Sequence, residues 1–153
     1  MAAKPDPRPE GTAWINPYLT CRSVEAALDF YERAFGFRKI DAVPGPDGKI
    51  MHATMGWKDG VLMMCPESDM NPMKAPVTSG ALPPFTLYVY CEDVDKLCAQ
   101  AKSAGAKIQS EPQDMFWGDR TCNLIDPEGY YWWFATNVGG FDAEAMQKMM
   151  KGL

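Results

Sequence analysis

Ser23-Val24-Glu25-Ala26-Ala27-Leu28-Asp29-Phe30-Tyr31-Glu32-Arg33-Ala34-Phe35-Gly36 has an echo further along the chain, Asp93-Val94-Asp95-Lys96-Leu97-Cys98-Ala99-Gln100-Ala101-Lys102-Ser103-Ala104-Gly105. Both stretches open on a short polar residue suited to an N-cap and close on a glycine. Between those ends, Val24, Ala27, Leu28, Tyr31 and Phe35 recur at helical spacing in the first, and Val94, Leu97, Cys98, Ala101 and Ala104 in the second. The second copy is one residue shorter. Internal self-similarity dictates architecture, because each copy must build the same supersecondary unit.

Working outward, each helix is preceded by one strand-like run and followed by three. Around the first copy these are Trp14 to Cys21, Phe37 to Val43, Lys49 to Trp57 and Gly60 to Cys65, with turns at 44–48 and 58–60. Pro17 argues for an edge or strand-start position in the first run, since proline cannot donate to a ladder. Around the second copy the runs are Phe85 to Cys91, Lys107 to Ser110, Thr121 to Ile125 and Tyr130 to Thr136. The last two form a hairpin around Asp126-Pro127-Glu128-Gly129, and the stretch from Phe116 to Thr136 holds three of the five tryptophans. The expected fold is α+β, two βαβββ modules spanning 13–65 and 85–136, each a curved sheet with one helix on its outer face. Residues 1–12, with three prolines among charges, read as a disordered arm. The connection 66–84 contains five prolines and reads as a linker, a lid or a crossover. A final helix is expected over 141–150, with Phe141 positioned to staple onto Met146.

Composition narrows the function classes. A chain of 153 residues with 46% hydrophobic and 23% charged residues fits one compact domain. Net charge is −5 and no cluster of Lys and Arg occurs, so the footprint of a nucleic-acid binder is missing. The longest apolar run, Tyr130 to Ala135, falls far short of the roughly 18 to 20 residues that cross a bilayer. The expectation is a soluble, cytoplasmic protein without membrane or nucleic-acid partners. Cys21, Cys65, Cys91, Cys98 and Cys122 form no Cys-x-x-Cys pair and read as small buried residues in a reducing compartment.

Several motifs together carry a resemblance: Asn16-Pro17-Tyr18-Leu19 leading to Asp29-Phe30-Tyr31, Phe35-Gly36-Phe37, Glu92-Asp93-Val94-Asp95, and Asp126-Pro127-Glu128-Gly129. With the modular repeat they make residues 14 to 136 similar to the vicinal oxygen chelate superfamily, which includes glyoxalase I, extradiol dioxygenases and the bleomycin and fosfomycin resistance proteins. The segments Lys49 to Ala53, Leu87 to Tyr90, Trp117 to Arg120 and Trp132 to Thr136 look most like its PhnB-like branch. The resemblance implies paired modules, a homodimer, and in metal-dependent members a His, Gln or Glu at each of four strand positions. Here those positions are Asn16, His52, Thr86 and Trp133. One histidine in the whole chain and an indole at the fourth position do not make such a donor set, so no metal is expected.

Residues alternate across a strand, so Tyr18, Thr54, Tyr88, Tyr90 and Tyr131 share the inward face with those four positions. The candidate ligand-binding set is Asn16, Tyr18, His52, Thr86, Tyr88, Trp117, Arg120 and Trp133, an aromatic cup with a few polar tips. Each aromatic reads equally as a filled core position. His52 is the candidate catalytic base, or a hydrogen-bonded strand residue. Arg120 either binds a ligand carboxylate or phosphate, or pairs with Asp119 or an acid in a neighbouring turn. Met63, Met64, Met70 and Met73 read as an adaptable lid or as core filling. Two functions remain: a metal-independent protein that holds a flat, aromatic or cationic small molecule by stacking, and a glyoxalase-like lyase or dioxygenase-type enzyme using His52 with a metal or carboxylate.

Overall fold

The computed structural model describes residues 5 to 152. Contacts divide the chain into two units, residues up to Ser79 and residues from Gly80 on, a division inside the proline-rich connection. The structure is α+β, with two four-stranded mixed sheets.

In the first unit the order is β1 (Tyr18–Cys21), α1 (Val24–Phe35), β2 (Arg38–Pro44), β3 (Ile50–Trp57), β4 (Gly60–Pro66) and a short α2 (Pro76–Ser79). The sheet runs β1-β4-β3-β2, with β1 parallel to β4 and the other pairs antiparallel. The first strand is shorter than the run from Trp14 predicts. Pro17 has no N–H for the ladder and instead accepts from Met63 N at 2.9 Å, while Asn16 closes a local turn on Ala13. Ser23 caps α1 by accepting from Ala26 N, and Gly36 ends it at φ 73°, a left-handed conformation that glycine adopts at little cost. The apolar stripe Val24, Ala27, Leu28, Tyr31 and Phe35 is buried, at about 1.5–3 kcal/mol per large side chain. Tyr31 stacks on Phe35 at 5.6 Å, and Phe37 bridges Phe35 and Trp57. Leu19, Ala53, Met55, Leu62 and Met64 complete this core.

The connection is more ordered than its composition suggests. Glu67 accepts from Ala75 N at 3.0 Å, Lys74 donates to Ser68 O, and Ala75 is fully buried at the start of α2. At the other end of the unit, Arg8 pairs with Asp6, donates to Thr12 O and lies over the Trp14 ring; residues 1–4 of the expected arm lie outside the described residues.

The second unit repeats the topology: β5 (Leu87–Tyr90), α3 (Val94–Ser103), β6 (Lys107–Asp114), β7 (Asp119–Ile125) and β8 (Tyr131–Asn137), followed by α4 (Ala143–Lys151). Its sheet runs β5-β8-β7-β6, with β5 parallel to β8. β6 extends past Ser110 through Pro112 because it is an edge strand whose register slips around Ser110, so the proline interrupts no continuous ladder. Asp126 organises the β7–β8 turn. Its carboxylate accepts from Glu128 N and Tyr130 N and, at 2.8 Å, from the buried Trp132 indole. Trp132 stacks on Phe134 on the helix side of the sheet, beside Cys122 and Leu124. α4 buries none of its side chains; Phe141 before it meets Phe116 edge-on, and Asp142 N donates to Phe116 O.

Candidate functional site

Strand alternation gives each sheet one face against its helix and one face turned away from it. On the second unit's open face, the register places Tyr88 beside Trp133, Trp133 beside Asn123, and Asp119 beside Asn137. The Tyr88 ring stacks with Trp133 at 6.0 Å, and Trp117, from the 115–118 turn, lies 6.1 Å from Trp133. Tyr90 meets Tyr88 edge-on at 5.5 Å. Four aromatic side chains thus share one surface, with Tyr88 40% and Tyr90 57% exposed.

Asp119 sits beneath them at 2% exposure. Its Oδ2 accepts from Tyr88 OH at 2.6 Å and Tyr90 OH at 2.8 Å, and its Oδ1 accepts from Asn137 Nδ2 at 3.0 Å. Trp117 Nε1 in turn donates to Tyr88 OH at 3.1 Å. Burial acts to raise the Asp119 carboxyl, but the donors from Tyr88, Asn137 and Tyr90 outweigh it and hold the group below its ordinary value. Burial, then the bond to Asp119, pushes the Tyr88 phenol up to about 12. The arrangement is a buried, ionised carboxylate whose donors are the tips of the aromatic face. Beside Trp133, the Asn123 Oδ1 is buried and has no hydrogen-bond partner among the described residues.

On the first unit's open face, Tyr18 OH lies 3.1 Å from His52 Nδ1, and His52 Nε2 lies 3.2 Å from Thr54 Oγ1. Either neutral tautomer satisfies both contacts, so two hydroxyls orient the imidazole where a general base is usually oriented by a carboxylate. Burial, with the Cys65 thiol beside it, pushes the Tyr18 phenol up.

The structure therefore brings Tyr88, Trp117 and Trp133 together in one unit, and Tyr18 with His52 in the other. The remaining three candidates stand apart from these groups. Asn16 spends its amide on Ala13 N and O. Thr86 donates to Tyr131 O and lines a groove of about 450 Å³ with Leu82, Pro83, Pro84, Phe85 and Tyr131. Arg120 lies on the helix side of β7, where it grips Asp95 with two nitrogens at 2.8 and 2.9 Å and reaches Asp114 at 3.0 Å. Adjacent residues on a strand point to opposite faces, so the sequence neighbour Asp119 is not its partner. Asn137 is the residue that sequence reasoning left out, and Asp119 is the one it read as a partner of Arg120 and not as part of the binding set; strand alternation, which sets 119 and 120 on opposite faces, was the available signal.

Two βαβββ units, with an aromatic open face, define a small α+β protein of the glyoxalase/bleomycin-resistance class. The model of the Glyoxalase/Bleomycin resistance protein/Dioxygenase superfamily matches residues 12–134, and the chain belongs to that family. It is 33% identical over 143 residues to an uncharacterized protein of Mycobacterium bovis, covering 89% of this chain and 91% of that one. Among solved structures it is similar to TioX from Micromonospora sp. ML1, with 28% identity, a TM-score of 0.66, and coverage of 81% of this chain and 98% of that one. A family protein from Burkholderia phytofirmans shares the fold at 19% identity and a TM-score of 0.64, over 80% of this chain and 97% of that one.

The four positions that metal-dependent relatives use do not fit a transition metal here. Asn16 and Thr86 commit their polar atoms to backbone groups, Trp133 has no donor lone pair, and only His52 is a good ligand. Among the described residues no three His, Cys, Asp or Glu side chains gather in a metal-binding group.

Proposed function

We propose that this protein binds a flat small molecule by stacking it on the aromatic face of the second unit, and that it does so without a metal. The observation that carries the reading is the Tyr88–Trp133–Trp117 set, in which the Trp133 ring lies 6.0 Å from Tyr88 and 6.1 Å from Trp117 and the set is tied through Tyr88 to the buried Asp119. Hydrogen bonds fix the tilt of Tyr88 and Trp117 before any ligand arrives, which lowers the ordering cost of binding. The His52 neighbourhood supplies less: its imidazole is held between the Tyr18 and Thr54 hydroxyls and not by the carboxylate that usually orients a general base. A homodimer in a reducing, cytoplasmic setting accompanies this reading, supported by family membership and five free cysteines. Placement in the PhnB-like branch rests on the strand segments quoted above.

The test is a titration of chelator-free, metal-analysed protein with planar aromatic probes, read by tryptophan fluorescence. Saturable quenching is expected in metal-free samples, with Trp117→Ala and Trp133→Ala each weakening affinity about tenfold. Unchanged affinity in both variants would move the site elsewhere. Stoichiometric Ni, Zn, Fe or Mn, together with a lyase or dioxygenase activity lost in His52→Ala, would replace this reading with the enzymatic one. Sedimentation velocity decides the dimer.

A further inference from the structure

We infer that the ligand of the aromatic face is a cation, a flat N-alkylated or protonated nitrogen heterocycle, selected by the uncompensated charge of Asp119. The inference rests on the stacking reading and adds the charge class to it. Asp119 is nearly fully buried, and its three donors, Tyr88, Tyr90 and Asn137, are all neutral. It forms no ion pair among the described residues. The nearest candidate in sequence, Arg120, projects from the opposite face of the sheet and is itself held by Asp95 and Asp114. The full negative charge of Asp119 is therefore met only by neutral donors.

The tyrosines carry that charge to the surface. A phenol that donates to a carboxylate gains electron density in its ring, and the negative face of an aromatic ring attracts cations. Tyr88 and Tyr90 both donate to the same oxygen at 2.6 and 2.8 Å, and both expose much of their ring area. Trp117, the best kind of cation–π ring, is steered by its own bond to Tyr88 OH. The orphaned Asn123 Oδ1 beside Trp133 adds a second electron-rich group and no positive one. The charged group that Tyr88 and Tyr90 both reach is Asp119, and its charge is negative. A neutral ring would gain only stacking here, while a cationic ring of the same shape gains stacking and attraction to the carboxylate through the polarised tyrosines.

The experiment compares N-methylquinolinium with its neutral isostere 1-methylnaphthalene on the full chain, by fluorescence quenching at neutral pH. The cation is expected to bind about tenfold more tightly. In Asp119→Asn that preference should collapse to about unity while the neutral probe keeps its affinity. Should Asp119→Asn fail to fold, Tyr88→Phe combined with Tyr90→Phe keeps both rings and severs them from the carboxylate, and must shrink the preference in the same direction. Equal binding of the two probes overturns the charge selection and leaves stacking standing. A cation preference that survives both variants overturns the role of Asp119. Failure of both probes to bind removes the stacking reading, and this one with it; binding of the neutral probe alone overturns the charge selection.

Discussion

Asp119 is a carboxylate that is buried and charged at once, and it stays so because its donors replace the water it lost. A carboxyl group held below its ordinary value contributes stability that is fully present above its unfolded value of about 3.9 and is lost as pH falls through the lower folded value. Asp119→Asn is therefore expected to cost about 1–3 kcal/mol at neutral pH and to lessen the loss of stability on acidification, measured by urea unfolding at several pH values. Asn123 presents the opposite case. Its buried carbonyl oxygen lacks a partner, so Asn123→Leu, which removes the unmet group at similar volume, should raise stability by about 1 kcal/mol in the same assay. At this scale the sequence was only partly legible. Parity put Tyr88, Tyr90 and Trp133 on one face correctly, and it could have separated Asp119 from Arg120. Which hydroxyls converge on a carboxylate depends on strand order, through β5 pairing with β8 and β8 with β7, and that is not written in any local stretch.

Elements were far more legible, because periodicity, caps and glycine stops act locally. Ser23, Asp93 and Asp142 cap the three longer helices as their residue types predict. The misses are tertiary effects. β6 continues through Pro112 because an edge tolerates it, and α2 forms within the proline-rich connection, where Glu67 supplies an acceptor to Ala75 N. Gly118 shows how tightly a connecting turn can be determined. It sits at φ 97°, and a Cβ there would lie 2.5 Å from Gly139 O. Backbone stands in the way, so no rotamer change relieves the clash. Gly118→Ala should destabilise by about 3 kcal/mol or more, seen as a lowered midpoint in thermal unfolding, and should disturb the Trp117 surface beside it.

For the whole molecule, fold legibility came from the repeat: the same order, strand, helix, three strands, recurs in both units and matches the family model across residues 12–134. The folded chain should also lose stability at alkaline pH. Tyr88 holds its proton up to about 12, so its contribution is complete below its unfolded value of about 10 and disappears as pH rises through about 12. A tyrosinate absorbance titration should show late-ionising residues, Tyr18 and Tyr90 among them, and should lose one of them in Tyr88→Phe. The peptide oxygen of Gly118 has a different consequence. It accepts from Val138 N at 2.9 Å, Gly139 N at 3.0 Å and Asn137 Nδ2 at 3.2 Å, latching the segment after β8 onto the turn that carries Trp117. Amide hydrogen exchange at positions 138 and 139 should therefore slow when a ligand settles against Trp117, although neither residue belongs to the aromatic face. Two backbone amides become a built-in reporter of occupancy, readable by mass spectrometry before the ligand's identity is known.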